Sequence, residues 1–311
     1  MTDERLRRLC GGRPAVVTGA GSGMGRELAH RLSAAGVRVL VSDIDDAALG
    51  ETVTSSPGGG APLVAAVLDV ADADAVAAYV HDVVGREGPP ALVLNNAGIT
   101  MVAGVHEEDD RHARRIMAVN FGGVVNGTTA FLPHLEAAGG GHIVNTSSAF
   151  GLLGAPAQSA YSASKFAVRG FSESVQKQLR DNGSPVRIHI VCPGAVHTAI
   201  ARRARYVDPA IRDFVTRGFD HRLPGTRPRA AAAAILSGVV AGRDRILVGP
   251  DARALDIGVR VFAGALQRPL ATITGPVFRR MIVTSLSGRA TATGRWATAG
   301  WPAPPVPRRC G

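Results

Sequence analysis

The sequence predicts one α/β domain: a doubly wound parallel sheet of about seven strands, three layers deep, with helices on both faces. Three observations point there. Short apolar runs alternate with longer helical patterns through the first 250 residues. The runs are almost uninterruptedly apolar, as strands buried on both faces are. A bare glycine turn, TGAGSGMG (18–25), joins the first run to the first helix, where doubly wound sheets bind ligands.

The elements follow in order. PAVVTG (14–19) is the first strand, and GRELAHRLSAAG (25–36) a helix stopped by glycine. VRVLVSD (37–43) is the second strand, DDAALGETV a helix and SSPGGG a loop. PLVAAVLDV (62–70) contains the third strand. The helix over 71–88 starts with acidic residues, as the helix dipole favours. ALVLNNAG (91–98) is the fourth strand, and a long helix runs from about Glu107 to Leu135. GHIVNTSS (141–148) is the fifth strand, and a helix from about Ser159 to Arg180 carries YSASK. VRIHIVCPG (186–194) and DRILVG (244–249) are strands six and seven. Right-handed crossovers wind such a chain on both sides of the sheet.

The domain is expected over 12–250, behind an N-terminal arm (1–11) and with a substrate lid at 199–222. A helical extension (251–286) and a Gly/Pro/Ala-rich disordered tail (287–311) follow. The net charge is +10, but nine Arg less two Asp beyond residue 250 supply +7 of it, so the domain is near balance. That distribution argues against a nucleic-acid partner. It leaves a basic C-terminal segment that can touch a membrane surface or an acidic partner. No apolar run is long enough to span a bilayer and no secretory leader is visible, which with three scattered cysteines favours a cytoplasmic protein.

Glycines 19, 23 and 25 are spaced G-x3-G-x-G. Such a backbone can approach a pyrophosphate, and the helix behind it offers unpaired N–H groups to the anion. Asp43 ends the second strand, 18 residues past Gly25, where a carboxylate can accept from ribose hydroxyls and repel a 2′-phosphate. Arg26 and Arg38 are less well placed to attract that phosphate. NAD is therefore preferred over NADP. The competing reading is that Asp43 caps the next helix. Tyr161 and Lys165, four apart, share one helix face and could be a solvated pair or an acid beside its tuning cation.

The glycine loop, NNAG, NTSS and YSASK in this order resemble the short-chain dehydrogenase/reductase family, in its non-extended branch, over about residues 12–250. The resemblance implies a single Rossmann-type domain that forms homodimers or homotetramers, with a nicotinamide cofactor and an alcohol or ketone substrate. It implies cofactor contacts from Gly19, Ser22, Gly23, Met24 and Gly25, from Asp43 and Ile44, and from Asp69 and Val70 at the adenine. Asn96, Ala97 and Gly98 end the fourth strand beside the cofactor, and Pro193, Gly194, Val196 and Thr198 hold the nicotinamide side. The implied catalytic set is Asn120, Ser148, Tyr161 and Lys165, the last two also touching the cofactor.

The chemistry fits. Hydride exchange at an alcohol carbon requires a proton to leave or join its oxygen. A free phenol titrates near pH 10, and a nearby ammonium lowers that value, so Lys165 is expected to pull Tyr161 down. Ser148 polarises the carbonyl, and Asn120 holds a water near Lys165. Val102, Leu152, Leu153, Ile200, Tyr206, Ile211, Phe214 and Phe219 either line a pocket for a bulky apolar substrate such as a steroid, terpenoid or lipid, or are ordinary core packing. His197 reads as an exposed loop histidine and Cys192 as core. No metal spacing is present. The alternative function is a non-catalytic dinucleotide-binding regulator or scaffold.

Overall fold

A computed structural model of the chain describes residues 3–105, 108–198, 200, 204–206 and 225–262. Nine strands are described: β1 (Ala15–Thr18), β2 (Val39–Asp43), β3 (Leu63–Val67), β4 (Leu92–Asn95), β5 (Met101–Val102), β6 (Gly141–Thr146), β7 (Val186–Pro193), β8 (Arg205–Tyr206) and β9 (Arg245–Val248). The helices are α1 (Asp3–Cys10), α2 (Gly23–Ala34), α3 (Asp46–Thr54), α4 (Ala73–Glu87), α5 (Asp110–Met117), α6 (Gly123–Ala137), α7 (Ser159–Asp181), α8 (Pro228–Val240) and α9 (Pro250–Phe262).

Seven strands form one parallel sheet in the order β3-β2-β1-β4-β6-β7-β9. The order reverses direction at β1–β4, which opens a crevice at the carboxyl ends of those strands. On one face α1, α2 and α8 bury Leu6, Leu28, Leu32, Ile235 and Leu236 against β1, β2 and β4. On the other, Val76, Val80, Phe131 and Leu179 from α4, α6 and α7 pack on Val93, Ile143 and Ile188. Such strands, buried twice over, leave room for apolar side chains at almost every position. Acidic residues start several helices: Asp45 accepts from Ala48 N at 3.1 Å, Asp72 from Ala75 N at 3.0 Å, and Asp109 from Arg111 N at 2.9 Å.

Three sequence expectations change, and the competing reading of Asp43 falls. The N-terminal arm is a helix, because Leu6 and Cys10 fall on one side of an amphipathic stretch of about two turns and are both buried. The long helix is interrupted: a π-helical turn at Ala118–Gly122 separates α5 from α6. The fourth strand stops at Asn95, so Asn96, Ala97 and Gly98 lie beyond it. Asp43 is not the cap of α3; Asp45 is. A short parallel pair, Val102 opposite Tyr206, was not foreseen, since two residues carry no periodicity. Within the lid, residues 199, 201–203 and 207–222, among them Ile211, Phe214 and Phe219, lie outside the described residues, as do 223–224 and 263–311.

Candidate active site

The crevice at the strand reversal is a cleft of about 370 Å³. Its floor is the glycine loop. Gly19 takes a φ of +66°, and a Cβ there would sit 2.6 Å from the Ala97 Cα. Gly25 lies under the loop, where a Cβ would meet the Gly19 carbonyl oxygen at 2.1 Å. Asn96 ties this turn down, its Nδ2 donating to the Thr18 and Gly19 carbonyls at 3.1 and 3.3 Å. Ser22, at the N-terminus of α2, makes no capping bond. The first-turn N–H groups of that helix are thus left for an anion. Ser22, Gly23, Met24, Ile44, Val70, Ala97, Gly98 and Thr198 line the same cleft.

Asp43 stands at its far end. One carboxylate oxygen accepts from Gly21 N at 2.8 Å and the other from Asp45 N at 3.1 Å, which fixes its orientation and leaves lone pairs for further donors. Arg26 cannot swing to a phosphate: it donates to the Gly21 and Ala48 carbonyls and pairs with Glu51. Arg38 pairs with Glu87. A rigid glycine floor, a free helix N-terminus and a held carboxylate fit an adenine dinucleotide.

At the other end, α7 brings Tyr161, Ser164 and Lys165 to the carboxyl end of β6. Ser148 is the polar neighbour that acts on the phenol, and Lys165 Nζ is buried, donating to the Thr146 carbonyl at 2.9 Å. Nζ lies 5.8 Å from the centre of the Tyr161 ring. Asn120 sits in the π-helical turn, a distortion common at functional sites. Its Oδ1 accepts from Ile99 N at 2.8 Å; its Nδ2 donates to the Ile99 carbonyl at 2.9 Å and to Ser164 Oγ at 3.0 Å. Ser164 Oγ in turn donates to the Tyr161 carbonyl at 2.7 Å. A point built on Gly98 lies 3.3 Å from Asn120 Oδ1 and 3.4 Å from Lys165 Nζ, so the two polar ends converge.

A family model described as short chain dehydrogenase matches residues 13–207. The chain belongs to the short-chain dehydrogenase family. The Mycobacterium tuberculosis protein SadH, named as an oxidoreductase, is 44% identical over 260 residues, 84% of this chain and 94% of that protein. The 2-(R)-hydroxypropyl-CoM dehydrogenase of Xanthobacter autotrophicus is 36% identical over 248 residues, 78% of this chain and 97% of its own length. A short-chain dehydrogenase/reductase from Burkholderia phymatum, crystallised with NAD, superposes with a TM-score of 0.74 at 29% identity, over 83% of this chain and 95% of that one.

As a short-chain dehydrogenase the chain departs from expectation in three places. The Tyr161 phenol is not lowered by Lys165. Burial raises it, Ser148 opposes that only in part, and burial instead brings Lys165 down to about 8. The ammonium donates to the Thr146 carbonyl, 5.8 Å from the centre of the Tyr161 ring. Asn120 has both Nδ2 hydrogens engaged, so a water beside it must donate to Oδ1. Leu152 is core, packed with Ile190 and Cys192, and Val102 is also buried, so neither is placed to line a substrate pocket.

Asp69 is spoken for on both oxygens, by Ala71 N at 3.0 Å and by Arg115 at 2.8 Å. Arg115 lines the cleft, yet it lies 46 residues from Asp69 and no local pattern signals it. Asp251 was missed for the same reason. From the start of α9 it accepts from Ala195 N at 2.5 Å, under the loop that carries Pro193, Gly194, Val196 and Thr198. A Cβ on Gly194 would fall 2.1 Å from its carboxylate. Thr198 closes over Gly23, within 3.1 Å of a Cβ there. His197 is half-buried beside Gly225.

Proposed function

We propose that the protein is an NAD-dependent dehydrogenase or carbonyl reductase that interconverts a bulky apolar secondary alcohol and its ketone. The observation that carries this reading is the convergence of Ser148, Tyr161, Lys165 and Asn120 at the mouth of a dinucleotide-shaped cleft. Gly19, Ser22, Gly23, Met24 and Gly25 would hold the pyrophosphate, and Asp43 with Ile44 the adenosine ribose. Asp69 and Val70 would border the adenine. Asn96, Ala97 and Gly98 with Pro193, Gly194, Val196 and Thr198 would hold the nicotinamide end. The cofactor supplies hydride exchange.

The chain's own residues handle the oxygen. Burial keeps the Tyr161 phenol protonated at neutral pH, the form that donates to the oxygen of a ketone undergoing reduction. Ser148 donates a second hydrogen bond to that oxygen and favours charge on it. In the oxidative direction the same phenol must release its proton first, against the cost of burial and with help from Ser148. Lys165 would also help hold the nicotinamide ribose. Asn120 fixes the turn of helix opposite Tyr161 through Ser164.

NAD is preferred because Asp43 occupies the position a 2′-phosphate needs and Arg26 is held elsewhere. The apolar preference rests on Phe150, whose ring meets that of Tyr161 edge-on at 6.4 Å, and on Ile99 and Ile200 at the cleft. The named substrate of the Xanthobacter relative is itself a secondary alcohol.

Titration with NAD and NADP, followed by an absorbance screen at 340 nm over steroid, terpenoid, cyclic and short polar alcohols, tests all of this. Tighter NADP binding, or a preference for short polyols, overturns the corresponding part. Tyr161→Phe is expected to bind NAD normally and lose nearly all turnover; a well-folded variant that keeps substantial activity defeats the assignment and favours a non-catalytic role.

A further inference from the structure

Tyr161 stands at the third position of α7, whose N-cap, Gln158, makes no side-chain capping bond. The phenol therefore depends on a first helical turn that its own sequence does not secure. Ala157, just before the helix, is held at φ +58°, a conformation costly for a residue with a Cβ. Something outside the helix must impose this geometry.

Residues 99–103, together with Glu108, do so from one side. Ala103 N donates to the Ala157 carbonyl at 3.1 Å. Thr100 Oγ1 reaches Gln158 Oε1 at 3.5 Å. Met101, Ala103 and Ile116 form a small apolar cluster on which Ala160 packs. Glu108 has its carboxylate engaged on both oxygens: Oε2 accepts from Ser159 Oγ and Oε1 from Ala160 N at 3.1 Å. Glu108 thus supplies, from 51 residues away, the cap that Gln158 does not provide. Its negative charge also sits at the favourable end of the helix.

We infer that Glu108 is a positioning residue for Tyr161, fixing the first turn of α7 so that the phenol meets Ser148 and the substrate oxygen. The inference rests on the reading of Tyr161 as the proton donor. Lys165 lies a full turn deeper and keeps its place without Glu108, so coenzyme binding and turnover respond differently when Glu108 is removed. A cap that served stability alone would leave the two coupled only through the fraction of folded protein.

Three variants test this: Glu108→Ala, Glu108→Gln and Ser159→Ala, beside Tyr161→Phe. Kinetics use 1-tetralol, or whichever alcohol of the panel is oxidised fastest; NAD affinity is measured by direct titration. Hydrogen exchange at residues 159–162 is followed in the protein without NAD. Glu108→Ala is expected to lower kcat by about 10- to 100-fold, as a misplacement near 1 Å does, with the NAD Kd within about twofold. Exchange at 159–162 quickens. Glu108→Gln restores most of the rate, because its amide oxygen still accepts from Ala160 N and its NH₂ can donate to Ser159. Ser159→Ala, which spares the Ala160 bond, falls between and serves if Glu108→Ala does not fold. An unchanged kcat in folded Glu108→Ala or Ser159→Ala, with Tyr161→Phe inactive, overturns the inference. So does a rate loss in step with NAD affinity. Full turnover by Tyr161→Phe instead refutes the reading of Tyr161, a separate failure.

Discussion

Acid should weaken this protein through a pair of histidines at the far end of the sheet from the candidate active site. His142 on β6 and His189 on β7 stack with ring centres 5.2 Å apart, and Nδ1 of His142 lies 2.9 Å from Nε2 of His189. His189 Nδ1 lies 2.6 Å from the Arg243 carbonyl, which can only accept. His189 therefore carries its proton on Nδ1 and accepts from His142 through Nε2. Burial, then the neighbouring His189, Arg187 and Arg13, lower His142 from 6.5 to about 4. Between those values the unfolded chain binds the proton and the folded chain does not, so stability falls as pH falls through the window. At about 1.4 kcal/mol per unit the full effect is about 3 kcal/mol, and roughly 2 kcal/mol of it is already lost at pH 5. For a chain of this size that is about 4–8 °C in Tm. Melts of the wild type and of His142→Gln, which keeps a donor toward His189 but does not titrate, should diverge between pH 7 and pH 5. The variant should lose several degrees less. Parallel pH profiles for the two proteins would refute the assignment of the acid sensitivity to this pair.

Three further outcomes are expected. Lys165→Met should abolish turnover yet stabilise the coenzyme-free protein below about pH 8; burial lowers the ammonium from 10.5 to about 8, so that cost is present below the folded value and fades as pH rises toward the unfolded one. Melts at pH 7 and pH 10 measure the difference, and equal effects at both would contradict it. Gly25→Ala should weaken NAD binding at least about tenfold and cost about 1–3 kcal/mol, because the new methyl meets the backbone oxygen of Gly19; Gly85→Ala, in open space on α4, should instead be neutral or gain up to about 1 kcal/mol. Asp251→Ala should raise the NAD Kd several-fold, by about 1 kcal/mol for one lost hydrogen bond, with little change in Tm, as titration and melting would show.

Local chemistry explains what the sequence revealed. The central strands were legible because they are buried on both faces and so read as apolar runs; the edge strand β3 was legible as an apolar run although much of it is exposed. The glycine loop was legible because a turn this close to Ala97 and Gly19 tolerates no Cβ. Tyr161 and Lys165 were legible as an i,i+4 pair. What stayed hidden is held by contacts distant in sequence: Arg115 with Asp69, Glu108 with the start of α7, Asp251 with Ala195. The π-helical turn was hidden too, since one inserted residue in AVNFG leaves the apolar pattern nearly intact. The fall in the Tyr161 pKa failed for another reason. Counting a neighbouring charge without counting burial gives the wrong sign when the phenol is desolvated.

The span matched by the family model, 13–207, is not the unit that folds. Leu6 and Cys10 of α1 fill the core beside α2, and Ile235 and Leu236 of α8 complete it. β9 pairs with β7, and α9 returns Asp251 to the loop before Thr198. Farther along α9, Asp256 meets Arg245 of β9 at 3.1 Å. A fragment trimmed to homology would expose this apolar face and unseat the coenzyme loop while keeping every signature residue through Thr198. Expression boundaries for biochemical work therefore belong outside Asp3 and Phe262, and limits drawn from the family model alone understate this fold at both ends.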